Sequence, residues 1–392
     1  MYKIQTLNKI SPAGINIVLQ NGYEVASEIL NPDAILVRSA AMHDMELPES
    51  VKAIARAGAG VNNIPVAPCA DRGIVVFNTP GANANGVKEL VLAGMLIASR
   101  NIIPGVQWAK TLIGKGDEVP KLVEKGKSNY AGPEIRGKRL GVIGLGAIGV
   151  MVANDAVALG MKVTGYDPYI SVEAAWGLSS SVIRARSLES LLAESDYVTM
   201  HLPLNDTTKG MINRERLALM KKGICILNFS RGGLVRNEDL FQAFADGIVG
   251  SYVTDFPDEE LLRHENVIAI PHLGASTPEA EDNCAVMAVN QVRNYLEYGN
   301  IRNSVNFPDC DLGVPAGHRI IIANKNVPNM VGQITTLLAV EKINIADMIN
   351  RHKGDYAFNI IDIDGTVEDA LVEKIRAIEG VIMVRRIVAA NR

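Results

Sequence analysis

Several protein classes are excluded by what this sequence lacks. Its four cysteines, Cys69, Cys225, Cys284 and Cys310, lie far apart, and no two form a Cys-x-x-Cys. Neither a zinc cage nor a disulfide framework follows from them. There is no excess of one charge: 39 Lys and Arg stand against 43 Asp and Glu, a formal net charge of −4. A global basic face for nucleic acid is therefore not indicated. Long apolar runs are missing too. The apolar stretch Leu90 to Ser99 is free of charge but has only 10 residues, and no charge-free stretch exceeds 15, short of the roughly 20 residues of a membrane span. Residues 1–10 alternate apolar and polar, so they read as a first strand, not as the apolar part of a signal peptide. Internal repeats and low-complexity tracts are absent. What is present is core-forming material: 48% of the 392 residues are hydrophobic. At roughly 150 residues per domain, two or three domains are expected, in the cytoplasm.

The pattern along the chain changes twice. Up to about residue 90, short apolar runs alternate with polar helical stretches; AILVRS at 34–39, VKAIARAG at 51–58 and GIVVFNTP at 73–80 are strand-like. The alternation continues with KRLGVIG (138–144), MKVTGYD (161–167), YVTMHLP (197–203), GICILNFS (223–230), GSYVTDF (250–256) and VIAIPH (267–272). Such βα alternation predicts parallel sheets. A long helix is expected over 282–300. After a stretch with two prolines and two glycines at 306–317, the order becomes βαββαβ. The predicted class is α/β: two doubly wound, Rossmann-like parallel-sheet domains plus a C-terminal βαββαβ ferredoxin-like unit. The expected boundaries are 1–90 with 283–308, then 91–282, a linker at 309–317, and 318–392.

Gly144, Gly146 and Gly149 fit G-x-G-x-x-G, with a hydrophobic strand before them and a helical stretch after. In order, the glycines allow a tight turn, close approach of backbone to a pyrophosphate, and close packing of helix on strand. Ala147 and Ile148 open the helix whose unpaired N–H groups would meet the phosphates. Asp167 ends the next strand, 18 residues after Gly149. A carboxylate there accepts from ribose hydroxyls and repels a 2′-phosphate, which favours NAD over NADP. The competing reading is a tight strand–helix turn with a surface aspartate.

Three later segments sit at predicted strand ends: NFSRGGLV (228–235), TDFPDE (254–259) and PHLGAST (271–277). They carry Arg231, Glu259 and His272. A guanidinium holds a carboxylate in bidentate fashion. An imidazole takes a hydroxyl proton, and a neighbouring carboxylate raises its pKa and fixes its tautomer. Taken singly, each residue has a bland alternative: a solvated loop arginine, an acidic surface run through Glu260, a helix-capping histidine. His201, also at a strand end, competes with His272.

Together with RAGAGVNN at 56–63, NTPGANANGVKEL at 78–90 and HLPLNDTTKGMI at 201–212, these segments resemble the D-isomer-specific 2-hydroxyacid dehydrogenase family over essentially the whole chain. The resemblance implies Arg231, Glu259 and His272 as catalytic residues. It also implies cofactor contacts from Phe229, Ser230, Asp255 and Gly274. One departure stands out. The family's Asp-Val-Phe-x-x-Glu reads Thr254-Asp255-Phe256-Pro257-Asp258-Glu259 here, so the aspartate is displaced by one. Glu260 is the fallback for the catalytic carboxylate. The substrate carboxylate is expected on the backbone amides of Ala59, Gly60, Val61 and Asn62. Arg38 and Arg56 are expected near the acidic groups of a phosphorylated substrate, 3-phosphoglycerate, and Lys127 is a further contributor from a neighbouring subunit.

The tail resembles an ACT unit, a small-molecule sensor that pairs edge to edge. That implies a homodimer or homotetramer with Asn324, Asn326 and Asn344 around an effector, L-serine, and a tail that can be removed near residue 312 without loss of activity. A dimerisation module without an effector is the alternative. No metal, nucleic acid or membrane partner is expected. The rival functions are another member of the family, such as a glyoxylate or hydroxypyruvate reductase, and a non-catalytic NAD-sensing corepressor.

Overall fold

The computed structural model describes residues 1–388. The chain forms two compact units, Met1–Ala82 with Pro278–Arg392, and Asn83–Thr277.

In the first unit, strands β1 (Lys3–Thr6), β2 (Glu24–Ala26), β3 (Ala34–Val37), β4 (Ala53–Arg56) and β5 (Val75–Phe77) make a parallel sheet in the order β2-β1-β3-β4-β5. β3 and β5 are buried along their whole length, which is why they read as unbroken apolar runs. The helix Pro278–Tyr298 returns to this sheet, and its Ala285, Ala288, Val289 and Val292 share a core with Ile4, Leu36 and Phe77.

The second unit carries β6 (Arg139–Ile143), β7 (Lys162–Tyr166), β8 (Ile183–Arg184), β9 (Tyr197–Met200), β10 (Ile224–Asn228), β11 (Val249–Thr254) and β12 (Val267–Ala269). All pair in parallel, in the order β12-β11-β10-β9-β6-β7-β8. The order reverses between β6 and β9, so the loop after β6 opens at a switch point, where sheets of this kind hold ligands. The helix Ala84–Ser99 packs Val87, Val91 and Met95 into this unit's core, which is why the unit begins at Asn83 rather than near residue 91. Among the described residues, no single helix is long and apolar enough to cross a membrane.

The C-terminal strands β13 (His318–Lys325), β14 (Asn344–Lys353), β15 (Tyr356–Asp364) and β16 (Val381–Val388) form an antiparallel sheet, ordered β14-β15-β13-β16. One face packs Ile320, Ile322 and Ile361 against Ile334, Leu338 and Ile375 of its two helices. The opposite face places Ile321, Ala323, Phe358, Ile360 and Ile387 in the same core as Val292, Tyr295, Leu296 and Phe307. Burial on both faces explains the run Ile320-Ile321-Ile322.

Arg319, fully buried, fastens this junction. It meets Asp362 in bidentate fashion at 2.5 and 2.8 Å and donates to the carbonyls of Tyr298 and Gly313. Nor do residues 309–317 hang free: Ile301 and Cys310 exchange backbone bonds, and Asn300 donates to Gly313 O. The tail is thus built into the first unit, which bears on the expectation that it can be removed.

Candidate active site

The loop after β6 shows why its three glycines are needed. Gly144 has φ +87°, and a Cβ there would lie 2.4 Å from His201 O. A Cβ on Gly149 would come within 1.9 Å of Gly144 O. Gly146 differs: its backbone is extended, and a Cβ would meet nothing within 4 Å. Its lack of a side chain serves no packing purpose and leaves open the approach to the helix Ala147–Ala158. That helix has no side-chain cap, so its first N–H groups, at Ala147, Ile148 and Gly149, remain donors for an anion. Asp167 accepts from Leu145 N and Tyr169 N, both at 2.8 Å. Each oxygen keeps a second lone pair, and the carboxylate is fixed beside the glycine turn. An open glycine cradle, an uncapped helix and a fixed carboxylate fit a dinucleotide.

At the ends of β10 and β11, a buried polar knot shapes the next loop. Asn228 donates to Arg231 O and to the Tyr252 hydroxyl, both at 2.9 Å. Ser230, also buried, donates to Met200 O and accepts from Leu202 N. Phe229 is buried against the 84–99 helix, where a Cβ on Gly94 would strike its ring. Arg231 emerges exposed from this knot and donates to Ser230 O. Sequence reasoning missed Asn228 and Tyr252. Their signal was a polar residue ending a fully buried strand.

Phe256 gathers the chemistry. The His272 ring lies 4.5 Å from its ring centre, and the Arg231 guanidinium carbon lies 5.9 Å from it. Asp255, the preceding residue, is buried, and its Oδ1 has no hydrogen-bond partner. Burial pushes its carboxyl above the ordinary range, against the pull of His272 and Arg231. Thr254 is buried at the end of β11 and accepts from Phe256 N. Gly274 is buried against Val87.

Glu259 is placed differently. It opens a one-turn helix capped by Asp258, stands exposed, and pairs with Arg263. Glu260 is exposed beside it. No bond joins either glutamate to His272 among the described residues. His201, the competitor, is bonded to Thr199 Oγ1 at 3.0 Å, and burial pushes its pKa down to about 3. It is neutral near pH 7 and poorly matched to proton transfer there.

The expected substrate residues lie in the first unit. Arg56, at the end of β4, donates to Arg38 O and Gly60 O, so it supports the 57–62 loop from behind. Asn78 donates to Ala59 O and His43 bonds Asn62 O. The backbone N–H groups of Ala59, Gly60, Val61 and Asn62 donate to no protein group among the described residues. Four unpaired donors on a braced loop suit a carboxylate. Arg38 is paired with Glu281 at 2.8 Å, and Lys127 with Glu124.

Comparison with known proteins decides the family. Residues 92–274 match the model described as D-isomer specific 2-hydroxyacid dehydrogenase, NAD binding domain. The chain belongs to the D-isomer-specific 2-hydroxyacid dehydrogenase family. Among its relatives, the D-3-phosphoglycerate dehydrogenase of Methanocaldococcus jannaschii is 37% identical over 295 residues, 73% of this chain and 54% of the relative. That of Archaeoglobus fulgidus is 32% identical over 370 residues, 88% of this chain and 66% of the relative. The chain therefore spans between about half and two thirds of these relatives. Among solved structures, the NAD+-bound 3-phosphoglycerate dehydrogenase of Entamoeba histolytica superposes with a TM-score of 0.59 at 27% identity, covering 78% of this chain and 98% of that one.

The three effector positions are all bonded internally. Asn324 is buried, donates to Lys325 O and accepts from Asn359. Asn326 donates to Gly354 O, and Asn344 to Asp364. In the sheet register, Asn324 pairs with Ala357 and Asn344 with Asp364. Those partners are seven residues apart along β15, roughly 24 Å.

Proposed function

We propose that this chain oxidises 3-phospho-D-glycerate to 3-phosphohydroxypyruvate with NAD, the first step of L-serine biosynthesis. The observation that carries the reading is Arg231 and His272 both close to the Phe256 ring, at strand ends on the same edge of the sheet as the glycine cradle. Gly144–Gly149 and Asp167 would hold the cofactor, with Phe229, Ser230, Asp255 and Gly274 shaping its nicotinamide end. When bound, NAD supplies the acceptor for the hydride of the alcohol carbon. Arg231 binds the substrate carboxylate and polarises the adjacent C–O bond. His272 takes the hydroxyl proton. The amides of Ala59–Asn62 orient the carboxylate, and Arg38, on leaving Glu281, offers a charge to the phosphate. Asp255, whose carboxyl feels the charge of His272, is the carboxylate proposed to act with it. Glu259 acts in that role only after breaking its pair with Arg263.

The domain roles follow: substrate binding in 1–90 and 283–308, cofactor binding in 91–282, and an ACT-type regulatory unit in 318–392 joined through 309–317. Asn324 and Asn344 are too far apart for one small ligand, so an effector such as L-serine, touching both, needs the tail of a second copy. That requirement supports a homodimer or homotetramer, with the cytoplasm as its proposed compartment.

A panel of 2-oxo acids with NADH tests the reading. The fastest substrate should be 3-phosphohydroxypyruvate. Greater speed on glyoxylate or hydroxypyruvate would indicate a different member of the family. NADH binding without turnover on any acid would indicate a sensor.

A further inference from the structure

We propose that the groove between the 303–309 loop and the C-terminal half of β14 is a binding site for a small phosphate-bearing anion. The groove encloses about 530 Å3 and is lined by Asn303, Ser304, Asn350, Arg351, His352 and Lys353, with Asp309 at its edge. Its cations, Arg351, His352 and Lys353, lack a carboxylate partner among the described residues, as Lys342 and Arg385 do elsewhere in the tail. Arg319, Lys325, Lys374, Arg376 and Arg386 each meet a carboxylate.

The rest of the lining is prepared for an anion. Lys353 is positioned by its bond to Ser304 O at 2.9 Å and keeps two further N–H donors. Asp309, the one acid present, accepts from Asn303 N, which fixes a loop whose Asn303 is left-handed at φ +59°. Asn350 is held by its 2.6 Å bond to Asn359. Two full cations and an imidazole, in a concave space with one committed acid, attract negative charge. Arg351 supplies the planar fork that matches phosphate oxygens. The volume admits a phosphorylated acid of three or four carbons.

This site lies between the tail and the 303–309 loop and is independent of the reaction assigned above. It is tested by calorimetry and thermal melting of the full chain with inorganic phosphate, against sodium chloride of equal ionic strength. The comparison is the wild type with the double variant Arg351→Gln, His352→Gln. Both side chains are exposed and neither bonds the fold, so the variant should melt as the wild type does without phosphate. Phosphate should raise the wild-type melting temperature more than chloride does. In the variant, the calorimetric affinity for phosphate at this site should fall about fivefold or more. Phosphate bound at the substrate position would appear equally in both proteins, so failure of the catalytic reading would leave the difference intact. Identical isotherms in both proteins, or an equal effect of chloride, would overturn the proposal.

Discussion

Replacing Gly146 by valine separates cofactor binding from folding. The backbone there is extended, and an added Cβ meets nothing within 4 Å. The change should cost about 1 kcal/mol, because Gly146 is the helix N-cap and valine caps poorly, and should leave the fold intact. Its effect falls on what approaches from outside. A side chain over the first N–H groups of the 147–158 helix holds a pyrophosphate away from them. Each hydrogen bond to a charged group contributes about 1.5–3 kcal/mol. Loss of one weakens the dinucleotide by roughly ten- to a hundredfold. Gly149→Ala is the contrast, since its Cβ would overlap Gly144 O at 1.9 Å and the fold itself must yield. NADH fluorescence titration gives the affinity, and thermal melting gives the stability. A Gly146→Val protein that binds NADH as tightly as the wild type would refute the placement of the pyrophosphate at this turn.

His272→Ala should lower kcat by about a hundredfold or more with NADH affinity kept; if His201→Ala were the more damaging in steady-state assays, the assignment would fail. Asp255→Asn should cost more turnover than Glu259→Gln and should shift the pH profile of kcat/KM, because Glu259 pairs only with an exposed arginine. The reverse ranking would restore the family's glutamate. Cutting the chain after residue 312 strips Phe358, Ile360 and Ile321 from Val292, Tyr295 and Phe307. Phe→Ala alone costs about 3–5 kcal/mol in such a core, so the product should be insoluble or unfolded by circular dichroism. A soluble, active product would show that the tail is a separable body. Below about pH 6.5 the unfolded chain protonates His201 while the folded chain keeps it neutral to about pH 3. Stability should therefore fall with pH by up to ~1.4 kcal/mol per pH unit from this group. His201→Gln should flatten that slope in melts between pH 7.5 and 5.

The sheets were legible because their strands are apolar runs of a length that strands favour, and the glycine turn because it sits between a strand and a helix. Short β2 and β8 were not legible: Glu24-Val25-Ala26 and Ile183-Arg184 are edge pieces with little buried surface. The tail's order followed from period and turn residues, yet its docking did not. Ile320 and Ile322 face one core while Ile321 faces another, and a run buried on both faces does not reveal its partners. At the site, motif spacing singled out Arg231 and His272, which the fold sets near Phe256. It could not show that Asp255, displaced by one position, would be buried near both, nor that Glu259 would begin a helix and pair along it. Arg56 shows a similar limit: an arginine at a strand end reads as a ligand, and the sequence does not reveal that it also braces the 57–62 loop.

The most direct measurement is the initial rate of NADH formation from NAD and 3-phospho-D-glycerate, beside D-glycerate and D-lactate under the same conditions. The value of kcat/KM should be highest for the phosphorylated acid, and NAD should be preferred to NADP. Asp167→Ser should narrow the cofactor preference while leaving the order of substrates unchanged. No NADH formation from 3-phospho-D-glycerate, or a higher kcat/KM for either unphosphorylated acid, would contradict the assignment.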